Sequence, residues 1–151
     1  MNYKSKISSY VVGGEYKGHQ WLIRKGLFGF LGYIKLTDRD VTILANGVPW
    51  TNNPPYFSQV CSRALKVNGR VTYLGNLGCS GDTWVGFGDC LDRRYEQLSY
   101  TKTMCLHAVD SLNKSISEKC SRNLMRFREL RGLHRKSPLT TAMVNRQDKD
   151  I

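Results

Sequence analysis

Glycine is spread very unevenly along this chain, and that asymmetry constrains the fold more than any other feature. Thirteen of the fourteen glycines precede residue 89, and only Gly132 follows it. Glycine opens positive-φ turns and weakens long helices. The first part therefore reads as short strands joined by tight turns, and the remainder as helix. Strands followed by helix is the order of an α+β domain, here a small twisted antiparallel sheet followed by a long C-terminal amphipathic helix. At 151 residues the chain has the length of one domain. Residues 1–136 are expected to form it, and 137–151, polar and interrupted by Pro138, to be a flexible tail.

In the glycine-rich part, Ser9 to Val12 predicts a short strand ended by Gly13-Gly14, and Tyr16 to Ile23 a second with His19, Trp21 and Ile23 on one face. Leu27 to Leu36 predicts a third, joined to the second through a short Arg24-Lys25-Gly26 hairpin link. Gly29 and Gly32 leave room in it for a bend or a close backbone approach. Val41 to Leu44 reads as a small strand closed by an Asn46-Gly47 turn. Asn52-Asn-Pro-Pro55 reads as a loop. Phe57, Val60, Cys61, Ala64 and Leu65 then recur at helical spacing and predict a helix within Tyr56 to Val67. Strands are expected again at Arg70 to Leu74 and Thr83 to Phe87, on either side of a glycine-rich loop.

The C-terminal region carries one long apolar stripe: Leu98, Cys105, Val109, Leu112, Ile116, Cys120, Leu124 and Phe127. Their spacings of three, four and seven predict an amphipathic helix over about 92–131. Asp89 or Asp92 suits its start, and Gly132 its end. Three serines and an asparagine at 111–117 compete for backbone hydrogen bonds, so a break near 113–117 or a projecting helix is expected.

Charge defines the kind of partner. Twenty-three Lys and Arg oppose twelve Asp and Glu, a net +11, which suits an anionic partner. The longest apolar run, Leu27 to Ile34, has eight residues, against the roughly 20 of a membrane-spanning helix. The five cysteines form no CxxC pair and the three histidines stand apart, so no zinc-ligand spacing is present and no metal or cofactor is expected. The N-terminus leads into no apolar signal segment, which points to reduced thiols in a cytoplasm.

Three constellations bear on binding. Lys119, Arg122 and Arg126 share one helical face, and Arg128, Arg131 and Arg135 repeat the spacing beside it, a pattern for phosphate contacts on DNA or RNA. Trp21, Tyr33, Trp50, Tyr73, Trp84 and Phe87 interleave with Arg24, Lys25, Arg39 and Arg70, where rings stack on bases and cations hold phosphates, or simply fill a core. The stretch from Trp84 to Arg94 passes through Gly86 and Gly88 into a helix start, where Asp89, Arg93 and Arg94 can position a polar ligand or serve as a cap with ion pairs. No catalytic set emerges: Gly78-Cys-Ser-Gly81 is not GxSxG, no histidine neighbours Cys90, and His107 reads as structural, so the protein is read as non-enzymatic.

Tyr16-x-Gly18-x-x-Trp21-x-Ile23, Gly32-Tyr33-Ile34, Asn68-Gly69-x-x-Thr72-Tyr73 and Trp84-Val-Gly-Phe87 with Asp89 and Cys90 resemble a family of small phage-borne proteins. That family carries Y-x-G-x-x-W/C, GYV, HGG-x-TY and WW-x-GFDCAH-x-GD segments before a C-terminal helix. Here Asn68 stands for the histidine, Thr83 for the first tryptophan, and a glycine is inserted before Asp89. Leu91, Asp92 and Arg93 stand where the later His and Gly-Asp would be. The resemblance implies a phage or prophage origin, an α+β fold and a counter-defence role in the cytoplasm of an infected bacterium.

Together these readings give a non-enzymatic accessory protein that sequesters a nucleotide-like anion. Trp84, Phe87, Asp89, Arg93 and Arg94 would form the pocket edge, with Arg24 and Lys25 as further contacts. The first alternative is nucleic-acid binding through Lys119, Arg122, Arg126, Arg128, Arg131 and Arg135. The second is inhibition of a host protein by the basic helix. Expected partners are thus an anionic ligand, a host protein or a second copy of the chain, and no membrane.

Overall fold

The β1–β2 turn is made by Lys17 and Gly18, whose φ values of 47° and 84° are both positive, the geometry of a two-residue type I′ hairpin. The computed structural model describes residues 3–89 and 92–135, with side chains as far as residue 126. Five strands, β1 (Tyr10–Tyr16), β2 (His19–Lys25), β3 (Phe30–Leu36), β4 (Tyr73–Gly75) and β5 (Thr83–Gly88), pair antiparallel in the order β1-β2-β3-β5-β4. With helices α1 (Tyr3–Lys6), α2 (Asp38–Leu44), α3 (Pro54–Ala64) and α4 (Leu98–Arg135), this is an α+β fold ending in a long helix.

The expected stop at Gly13-Gly14 does not occur, and β1 runs through both glycines. Their role is space. A Cβ on Gly14 would lie 3.2 Å from the Trp21 ring, and one on Gly13 would lie 2.7 Å from the Tyr10 hydroxyl. Val41 to Leu44 is likewise not a strand. Thr37 and Asp40 form a capping box, in which the Thr37 hydroxyl accepts from Asp40 N–H and the Asp40 carboxylate accepts from Thr37 N–H, so the segment starts α2. Asn46 and Gly47, at φ 54° and 77°, follow that helix rather than a strand. Asn53 caps α3, and Pro54-Pro55 form its first turn, where missing N–H groups cost nothing, so the proline pair begins a helix instead of a loop.

The predicted apolar stripe is buried, with Phe57, Val60, Cys61 and Ala64 in α3 and Leu65 at its C-cap. Asp92 caps a short 3-10 turn at Arg93–Glu96, and α4 starts after it. No break occurs at 113–117. Ser111 Oγ donates to the Ala108 carbonyl and accepts from Lys66 N–H, so its hydrogen bonds join segments and leave the helix intact. Within the stripe, Cys105, Val109, Leu112 and Ile116 are buried, whereas Leu98 and Leu124 are exposed. The chain divides into two units, the division falling after Ile116, within α4. The expected tail at 137–151 lies outside the described residues.

The sheet is buried on both faces. Leu22, Tyr33 and Trp84 pack with Ile7 and Cys79 on one side. Trp21, Ile23, Ile34, Val85 and Phe87 occupy the other by strand alternation. There α4 comes in over Gly32, where a Cβ would stand 2.7 Å from Phe87 Cζ and 2.8 Å from Cys105 Sγ. Both neighbours are fully enclosed and cannot swing aside. Gly32→Ala is therefore expected to destabilise the protein by about 1–3 kcal/mol, the usual cost of overpacking. Urea unfolding followed by tryptophan fluorescence measures it, and an unchanged midpoint would contradict this packing.

Candidate anion-binding surfaces

Of the residues assigned to the expected pocket edge, two are corrected outright. Trp84 and Phe87 have no exposed surface. Three residues apart on β5, they lie on opposite faces of the sheet, and both are core: Trp84 meets Tyr3 edge-on at 5.2 Å, and Phe87 meets Tyr95 at 6.1 Å. Neither ring can stack on a ligand. Trp50 is half-buried, lying against Phe57 at 5.9 Å and 25°.

Asp89 is committed to the backbone. Its two carboxylate oxygens accept from the N–H groups of Leu27 and Phe28, each at 2.8 Å. Gly26 N–H closes the same turn on the Gly29 carbonyl at 2.7 Å. The clamp holds Asp89 itself at φ 41°, a conformation aspartate tolerates better than most residues. The turn is thereby fixed with Leu27 and Phe28 facing solvent, 86% and 74% exposed.

The remaining predicted contacts gather around this end of the sheet, but most are already paired. Arg24 Nε donates to the Ser8 carbonyl at 2.8 Å, and its guanidinium lies over the Tyr33 ring. Arg94 forms a two-pronged pair with Asp92, at 3.0 and 2.8 Å, and covers Tyr100. The Arg94 bonds hold the Asp92 carboxyl below its usual range. Arg93 reaches Glu96 at 3.6 Å while staying open to solvent, and Lys25 is exposed. What stands here is a clamped turn with a mixed-charge rim.

A second surface was not singled out from sequence. An open cleft of about 620 Å³ lies between α3 and the segment leading into β4, lined by Ser58, Gln59, Ser62, Arg63, Arg70 and Thr72 around buried Val71. The available signal was acidic depletion, since no Asp or Glu occurs between Asp40 and Asp82.

Within residues 117–135, taken alone, Arg122 and Arg126 are exposed and Lys119 is partly so. Among the described side chains these three have no carboxylate partner. Arg128, Arg131 and Arg135 lie on the same continuous helix, but their side chains fall outside the described residues.

Sequence reasoning also missed a buried ion pair. His19 Nε2 stands 2.6 Å from Asp40 Oδ2, and Nδ1 is 3.3 Å from the Lys17 carbonyl. With both ring nitrogens facing acceptors, the imidazolium is the favoured form. The bond to Asp40 raises the His19 pKa above its ordinary value. Burial pushes the Asp40 carboxyl up, but the bonds from His19 and Thr37 outweigh it and the net shift is downward. The pair ties the β1–β2 hairpin to α2 and has no open side, so its role is structural. His107, expected to be structural, is exposed. Burial pushes the Cys61 and Cys105 thiols up to about 12, which removes both as nucleophiles at neutral pH. No group of three potential metal ligands occurs among the described residues, and no helix among them is long and apolar enough to cross a membrane. Comparison with family models, curated proteins and solved structures gives no match to this chain.

The pair has a pH signature. His19, raised in the folded state, contributes fully below its unfolded value of 6.5, and that contribution is lost as pH rises through the folded value. Asp40, lowered when folded, contributes above 3.8 and loses its contribution as pH falls through its folded value. Urea midpoints should therefore be highest between those limits and decline on the alkaline side. His19→Gln should remove the alkaline decline, and a wild-type midpoint flat from pH 6 to 9 would refute the assignment.

Proposed function

We propose that the protein binds nucleic acid through phosphate contacts made by the helical segment from Lys119 to Arg135. The observation that carries this reading is the set of cations at Arg122 and Arg126, both exposed, and Lys119, partly so, spaced along one helical face and without carboxylate partners among the described side chains. A cation already paired gains little by meeting a phosphate; an unpaired one releases counterions from the nucleic acid when it does so. Arg128, Arg131 and Arg135 continue the pattern in sequence. Guanidinium groups suit this role because their planar fork matches phosphate oxygens. A nucleotide sponge built on Trp84 and Phe87 is not retained, since both rings are enclosed. The resemblance to phage-borne proteins supports an accessory role in an infected bacterium, which fits a nucleic-acid partner.

Contacts of this kind make log affinity fall with log salt by about 0.9 per duplex phosphate neutralised. Fluorescence anisotropy with a labelled DNA duplex and with a single-stranded RNA, across a salt series, is the test. Arg122→Ala/Arg126→Ala is expected to weaken binding and to reduce the duplex salt slope by about 2. Equal affinity and equal slope for variant and wild type would overturn the proposal.

A further inference from the structure

We infer that the cleft between α3 and residues 70–72 is a separate binding site for a phosphate-bearing ligand. The floor is Val71, 5% exposed, and the walls are fixed independently of any ligand. On one side Ser58, Gln59, Ser62 and Arg63 share a face of α3, whose other face is anchored by Phe57, Val60, Cys61 and Ala64 in the core. On the other side the approach to β4 is tied down three times. Lys66 N–H donates to Ser111 Oγ at 2.9 Å, the Tyr95 hydroxyl donates to the Asn68 carbonyl at 2.6 Å, and Thr72 N–H donates to the Gly86 carbonyl at 2.8 Å. A site whose walls are held this way loses little freedom when it is filled.

The chemistry of the lining selects the ligand. Six polar side chains surround the cleft, and none of them makes a hydrogen bond or ion pair within the described residues. Two are guanidiniums, three are hydroxyls and one is an amide, and no carboxylate is among them. All six can donate, and the only formal charge is positive. This contrasts with Arg24 and Arg94, whose donors are occupied. A doubly charged acceptor with several oxygens answers such a set, and a phosphate group is that acceptor. The volume of about 620 Å³ lies within the roughly 300–1,000 Å³ of small-molecule sites and exceeds what a bare phosphate fills. No aromatic ring lines the cleft, so recognition is through the phosphate and neighbouring hydroxyls. The site lies wholly within the first unit and does not depend on the helical reading above.

Calorimetric titration of the full chain with inorganic pyrophosphate and with ADP tests the free-ligand source, and competition by a short single-stranded oligonucleotide tests a phosphodiester source. Arg63 and Arg70 are exposed, so Arg63→Ala and Arg70→Ala should fold normally, which thermal melts check. Each is expected to weaken pyrophosphate or ADP binding about tenfold or more. In 15N-labelled protein the amide signals of Ser58, Ser62 and Thr72 should shift on titration in the wild type alone. Arg122→Ala/Arg126→Ala should leave the pyrophosphate and ADP titrations unchanged, which separates this site from the helix. Oligonucleotide binding that falls in the Arg63 and Arg70 variants also supports the cleft and assigns its ligand to nucleic-acid backbone. If no probe responds to Arg63 or Arg70, the cleft is solvated surface and the inference is overturned.

Discussion

Five aromatic residues stand directly opposite glycines on neighbouring strands, and these pairs set the spacing of everything packed on the sheet. Trp21 faces Gly14, Phe87 faces Gly32, Tyr33 and Tyr73 both face Gly86, and Trp84 faces Gly75. Without a Cβ the strand leaves a trough that a ring can occupy, and the ring restores the apolar area the glycine lacks. The fit is close: a Cβ on Gly86 would come within 2.6 Å of the Tyr33 ring, and one on Gly32 would meet Cys105 as well as Phe87. The approach of α4 to the sheet thus depends on a glycine in β3, and Tyr33 in turn carries the Tyr73 contact at 5.6 Å.

The same pairing explains why these rings resemble a base-stacking surface in the sequence. Aromatic residues interleaved with glycine and arginine look alike in sequence whether the glycine admits a ligand or a ring from the next strand. The distinction is tertiary, because it depends on which strands become neighbours, and β3 with β5 are far apart in sequence. Helical periodicity is local, which is why the four buried positions of α3, and Leu65 at its C-cap, are legible in the sequence. The Thr37-x-x-Asp40 capping box was also local, but four apolar or β-branched residues after it carried a strand-like propensity that the cap overrode. Gly13-Gly14 misled for the opposite reason, since these glycines answer to the Trp21 ring and leave the backbone extended.

Net charge is equally ambiguous until each cation is placed. Lys17 pairs with Asp110, Lys35 with Asp82 and Tyr3, and Arg94 with Asp92. These charges serve the fold or the surface and have less to offer a ligand. Arg63, Arg70, Lys119, Arg122 and Arg126 have no such partner among the described side chains. Sequence identified the helical set because charge density there is local. It did not find the cleft, whose two arginines come from α3 and from the approach to β4 and meet only after folding.

Asp89 shows how a strong local expectation can be answered by the backbone. A carboxylate after a glycine-rich strand is well placed to accept from a ribose or a base, as the sequence suggests. Here both oxygens already accept from Leu27 and Phe28. Hydrogen bonds to a charged group contribute about 1.5–3 kcal/mol each. A ligand claiming the carboxylate would have to displace two of them and leave two amides to find other partners. The exposed apolar pair at the turn gives it nothing in return for a polar ligand. Cationic donors without partners among the described side chains lie elsewhere, at the α3 cleft and on the basic helix, which is why both proposals are placed there.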